Sequence, residues 1–144
     1  MPSLFPIARS AWRLADRDRF AAARALLWLL AARLAVRLLS YATIKRLTAR
    51  LTGRCAPAAL SVDECGLALR RALRVLPGSG CLPQAIAADC LLRREGHDPR
   101  IVFGVALDGA GRLDAHAWVQ HQGRTVIGGE TAETYRPLTP PRAS

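Results

Sequence analysis

The chain has 144 residues, 51% of them apolar and 22% charged, which allows one domain with a core and excludes wholesale disorder. Four cysteines are too few and too unevenly placed for a disulfide scaffold, so reduced thiols are expected. The formal net charge is +10, which raises nucleic acid or a membrane surface as partners.

The charge is unevenly distributed. Residues 1–76 carry 14 basic and 4 acidic residues, whereas residues 77–144 carry 7 of each. Lys45 is the only lysine, so an arginine-rich genome accounts for much of the arginine content. No helix-turn-helix or zinc-finger pattern accompanies the arginines, which argues against nucleic acid. The basic half, about Arg9 to Arg54, is instead expected to support the fold and to form a docking surface.

In chain order, Ala8 to Arg17 reads as a short helix and Arg19 to Leu39 as a longer one. Leu27, Leu30, Ala31, Leu34 and Leu38 share one face of the second, and that face is expected in the core. The longest charge-free run there, Ala25 to Ala32, is far short of the ~20 residues of a spanning helix. Asp16 and Asp18 precede the apolar run, unlike the basic start of a signal peptide. A cytoplasmic protein without a transmembrane segment is expected. Tyr41 to Leu51 reads as a further helix, closed by Gly53.

Ser61-Val62-Asp63-Glu64 has the form of a capping box opening a helix to about Val75. Pro77-Gly78-Ser79-Gly80 breaks the chain. Cys81-Leu82-Pro83-Gln84 then opens a helix to about Glu95, ended by Gly96. Arg100–Leu107, Leu113–Gln120 and Arg124–Ile127 read as strands, joined by Asp108–Gly111 and by His121–Gly123. Helices followed by a short antiparallel sheet make an α+β fold. The division expected is an Arg-rich helical region over 1–57, a core over 58–138 and a tail over 139–144.

Cys81 follows a Gly-rich turn and starts a helix, where free N–H groups and the positive end of the dipole favour a thiolate. The same N–H groups can hold a developing oxyanion, with Gln84 as a further donor. Cys90 falls mid-helix among apolar residues and reads as packing; Cys55 and Cys65 have no setting like that of Cys81. His116 shares a strand face with Asp114 and Trp118 and is the natural general base. His97 and His121 fall at turns. Cys81, Cys90, His97 and His116 lack the paired spacing of a zinc site, so neither metal nor cofactor is expected.

Together Cys81–Gly96, Val102-Phe-Gly-Val105, Ala115-His-Ala-Trp-Val-Gln120 and Gly123 resemble the leader peptidase of lasso-peptide biosynthesis, the stand-alone protease half of the lasso B protein. The resemblance covers roughly residues 15 to 138. It implies a transglutaminase-like, papain-related cysteine peptidase core that cuts the leader from a ribosomally made precursor peptide. It further implies a separate leader-recognition protein and an ATP-dependent cyclase as partners, with Cys81 as nucleophile and His116 as general base.

The family carries an Asp about a dozen residues beyond the histidine to orient the imidazole. Gly128 stands there in this chain. A three-residue hairpin loop, His121 to Gly123, would place Glu130 on the His116 face and make it the third member; a two-residue loop would place it on the wrong face. Asp114 and a backbone carbonyl are the rivals. The alternatives to a peptidase are a non-catalytic peptide-binding scaffold with a decayed Cys–His site, and an acyltransferase using the same pair.

Overall fold

The computed structural model describes residues 5–53 and 59–138, with side chains of the first helix from Asp16 onward. Four helices precede a four-stranded antiparallel sheet. They are α1 (Phe5–Leu38), α2 (Tyr41–Thr52), α3 (Val62–Val75) and α4 (Cys81–Arg94). The strands are β1 (Arg100–Leu107), β2 (Leu113–His121), β3 (Arg124–Ile127) and β4 (Arg136–Pro137). This is the α+β arrangement expected. Cys55 and the expected tail lie outside the described residues.

The two helices expected at the start are one. No Gly or Pro occurs between Ile7 and Thr52, so nothing interrupts the backbone ladder before Leu38. Ser40 then caps α2 by accepting the Thr43 amide at 3.3 Å.

The face of α1 that is buried is also not the one expected. Ala21, Ala25, Leu29 and Ala32 enter the core, while Leu27, Leu30, Leu34 and Leu38 are exposed. The reason is close packing. α1 lies against α3 and α4, whose own buried faces are rich in Ala68, Ala72, Ala85, Ala87 and Ala88. Small residues let helix axes approach, and dispersion contacts between backbones replace those of large side chains.

A buried carboxylate ties these helices together. Glu95, at the end of α4, accepts from Arg24 of α1 at 2.6 Å and from the Ala59 and Leu60 amides at 3.1 and 3.0 Å. The capping box follows directly: Ser61 and Glu64 bond each other's backbone amides at 2.6 and 3.2 Å. One core cluster takes residues from both sides of residue 57, from Ala21 and Ile44 through α3 and α4 to Val119 and Ile127.

The sheet order is β3-β2-β1-β4. β1 and β2 pair without a shift from Arg100↔Gln120 to Leu107↔Leu113. Their turn is fixed by Asp108, which accepts from the Ala110 and Arg112 amides and from the Arg112 guanidinium. The fourth strand has no counterpart in the sequence reading. It is two residues long, and Pro137, lacking an N–H, suits a sheet edge.

Candidate active site

α4 is buried from Pro83 to Leu92, with only half-buried Gln84 interrupting, so its start is where its chemistry reaches solvent. Cys81, its first residue, is half-buried. The preceding loop is pinned by the Ser79 hydroxyl, which donates to the Leu76 carbonyl at 2.8 Å. Gly80 at the N-cap makes no side-chain cap, and Pro83 has no N–H. The Cys81 and Leu82 amides are therefore the free donors of this helix end, and Gln84 sits beside them in the first turn.

The other described thiols are of a different kind. Burial pushes the Cys65 thiol up to about 12 and the Cys90 thiol up to about 11. Both are packing residues, and no disulfide joins the described cysteines.

His116 lies on β2 between residues whose neighbours, Ala117 and Val119, enter the helical core. Its Nε2 is 2.9 Å from the Gly128 carbonyl oxygen. A carbonyl only accepts, so the proton of the neutral ring is on Nε2 and the lone pair is on Nδ1. The ring stacks against two aromatic residues. Trp118 lies at 5.9 Å with an interplanar angle of 22°, and Tyr135 at 4.9 Å with 29°. Trp118 is buried, and its indole N–H finds no acceptor among the described residues.

Tyr135 is the residue that sequence reasoning missed. Its hydroxyl donates to Asp114 at 2.7 Å. That hydrogen bond, then burial and the Asp114 charge, and finally the Cys81 charge raise the phenol above its ordinary range. No hydrogen bond joins the Cys81 thiol and the His116 imidazole here. Such pairs are often looser before substrate binds. The signal for Tyr135 was Gly104, which faces His116 across the ladder. A Cβ there would lie 2.7 Å from the Trp118 ring and 2.9 Å from the Tyr135 Cβ.

Glu130 is expected as the third member; in this structure the imidazole nitrogen is bonded to the Gly128 carbonyl. Asp114 is occupied by Tyr135, and Glu130 is exposed with no bond to His116. The hairpin explains this. Its loop has two residues, Gln122 and Gly123, both at positive φ, and not three. A bulge between the pairs Gln120↔Thr125 and Val119↔Ile127 then inserts one residue. The bulge restores the facing that the shorter loop would reverse, but β3 ends at Ile127. Gly128, at φ 77°, turns the chain away before Glu130 can reach the imidazole.

A separate groove of about 1090 Å³ opens between α2, the far half of α4 and the sheet, lined by Tyr41, Ile86, Asp89, Arg93, Phe103 and His121 among others. It includes neither Cys81 nor His116. Among the described residues no cluster of three or more His, Cys, Asp or Glu could hold a metal ion, and no helix is long and apolar enough to cross a membrane.

A half-buried cysteine opening a buried helix, followed by a histidine on an antiparallel strand, is the layout of a known family. The model of the transglutaminase-like superfamily matches residues 26–140. The chain belongs to this superfamily. Its matched region begins within α1 and includes α4 and all four strands. The transglutaminase-like superfamily includes cysteine peptidases. No curated protein and no solved structure matches the chain.

Proposed function

We propose that this transglutaminase-like protein is a cysteine peptidase that removes the leader from a lasso-type precursor peptide. The observation that carries this reading is the imidazole of His116, whose Nε2–H is committed to the Gly128 carbonyl and whose Nδ1 is thereby a base. Cys81, at the open start of α4, supplies the nucleophile.

The reaction runs through an acyl-enzyme. Nδ1 of His116 takes the thiol proton, and the Cys81 sulfur attacks the scissile carbonyl. The Cys81 and Leu82 amides receive the developing oxyanion. The imidazolium hands its proton to the leaving amine, which departs as the new N-terminus of the core peptide. Water, deprotonated by the same Nδ1, then opens the thioester and releases the leader as a carboxylate. The precursor is made by the ribosome, so the reaction belongs in the cytoplasm, with a separate leader-recognition protein and an ATP-dependent cyclase as partners.

The test is intact-mass analysis of a lasso-type precursor incubated with its recognition protein and this chain. Cleavage is expected with the natural sequence and lost in Cys81→Ala and His116→Ala. Full cleavage by Cys81→Ala would overturn the reading. One observation favours a second reading, a peptide-binding scaffold without catalysis: among the described residues no carboxylate bonds the imidazole. The scaffold predicts precursor binding that survives Cys81→Ala, with no iodoacetamide-sensitive cleavage.

A further inference from the structure

The helix that forms one wall of the core carries a second apolar face that no described residue covers. Phe20, Leu27, Leu30, Leu34 and Leu38 are 71%, 67%, 45%, 59% and 70% exposed, and Ala23 is exposed between them. Isolated exposed leucines are ordinary, but these are contiguous. From Phe20 the exposed positions follow 20, 23, 27, 30 and 34, with Leu38 closing the stripe. The steps alternate three and four residues, which is the seam that a second helix fits. At 1.5 Å per residue the seam is about 27 Å long.

Charge decides what covers it. From Arg19 to Val62 the chain contains no Asp or Glu, while Arg33 and Arg37 lie along the Leu30–Leu38 half of the seam. Neither arginine makes an ion pair with a described residue. Arg24, by contrast, is turned inward to Glu95 at 2.6 Å. A second copy of this face would set arginine against arginine. We propose that the Phe20–Leu38 face of α1 docks an amphipathic helix of a partner protein, one with an apolar seam bordered by Asp and Glu. This surface is separate from the Cys81–His116 site and stands whether or not that site cleaves.

The experiment uses the full chain and two labelled four-heptad peptides. Both carry Leu at the seam; one has Glu and the other Lys at the flanking positions, so each repels itself. Fluorescence anisotropy is expected to show binding of the Glu peptide, at least about tenfold tighter than the Lys peptide and weakened by salt. Leu27→Glu with Leu34→Glu should lower that binding at least about tenfold while circular dichroism stays unchanged, because both side chains are exposed. Arg33→Glu with Arg37→Glu should transfer the preference to the Lys peptide. Failure to bind either peptide, or equal binding of both, would overturn the proposal. So would tighter binding to phosphatidylglycerol vesicles than to the Glu peptide, or a dimer that Leu27→Glu with Leu34→Glu dissolves.

Discussion

The imidazole Nε2 of His116 is bonded, at 2.9 Å, to the carbonyl oxygen of Gly128. A peptide carbonyl in this position fixes the tautomer and orientation of the ring, as a carboxylate would. It does so without a full negative charge, so it stabilises an imidazolium less. Gly128 can present its carbonyl this way because it sits at φ 77° against the Trp118 backbone and side chain.

Restoring an aspartate at this position should therefore damage the site. A Cβ on Gly128 would lie 3.0 Å from the Trp118 Cβ and 3.2 Å from the Ala117 oxygen. Gly128→Asp is expected to lower stability by about 1–3 kcal/mol and precursor cleavage by at least about tenfold. Glu130→Gln should leave cleavage within about twofold of the natural protein, since the side chain is exposed and touches nothing in the site. Cleavage rates and urea melts of both variants check this. A Gly128→Asp protein more active than its parent would show that the carboxylate was missing and not replaced.

What the sequence revealed followed from local signals. The capping box at Ser61, the break at Pro77–Gly80 and the β-branched run from Ile101 each have a short-range cause, and each element lies where it was expected. What it hid was tertiary. The core face of α1 could not be read from hydrophobic size, because alanine-lined neighbours reward small residues and leave the leucines outside. Cys81 and His116 were legible as types in a setting. The orienting group was not, because a backbone carbonyl leaves no residue signature and the bulge after Thr125 is set by packing. Tyr135 escaped because it reaches the site from a segment with little periodicity.

Tyr135 is expected to act as a positioning residue. Its ring lies 4.9 Å from the imidazole, and its hydroxyl is tied to Asp114 at 2.7 Å. Tyr135→Phe keeps the stack and loses the tie, whereas Tyr135→Ala loses both. Cleavage kinetics should show kcat falling roughly tenfold in Tyr135→Phe and further in Tyr135→Ala, with KM little changed. A raised KM with kcat unchanged would make Tyr135 a substrate contact instead.

Glu95 should prove the most sensitive polar group of the fold. It is 3% exposed and satisfies two amides of one segment and a guanidinium of another. Glu95→Ala strands the Ala59 and Leu60 amides and is expected to cost about 3–5 kcal/mol by urea denaturation. Arg24→Ala should cost less than Glu95→Ala, because its guanidinium end is partly solvated and the amides still hold the carboxylate. The reverse order would mean that the ion pair, and not the amide bonds, carries the stability.

The buried thiols are expected to lower stability at alkaline pH. Cys65 and Cys90 are pushed from 9.0 up to about 12 and about 11 by burial. An acid whose folded pKa is raised favours the folded state below its unfolded pKa. That advantage is lost as the pH rises from 9 toward the folded values. For Cys65 the loss reaches about 2 kcal/mol near pH 10.5. Urea melts at pH 8 and near pH 10.5 should show the natural protein losing that much more than Cys65→Ala, whose cavity penalty is the same at both. The same burial should make iodoacetamide at pH 8 label Cys81 and spare Cys65 and Cys90 in the native protein, as read by peptide mass mapping. Equal labelling of the three would mean that the core around α3 and α4 opens readily, and the alkaline loss should then vanish too.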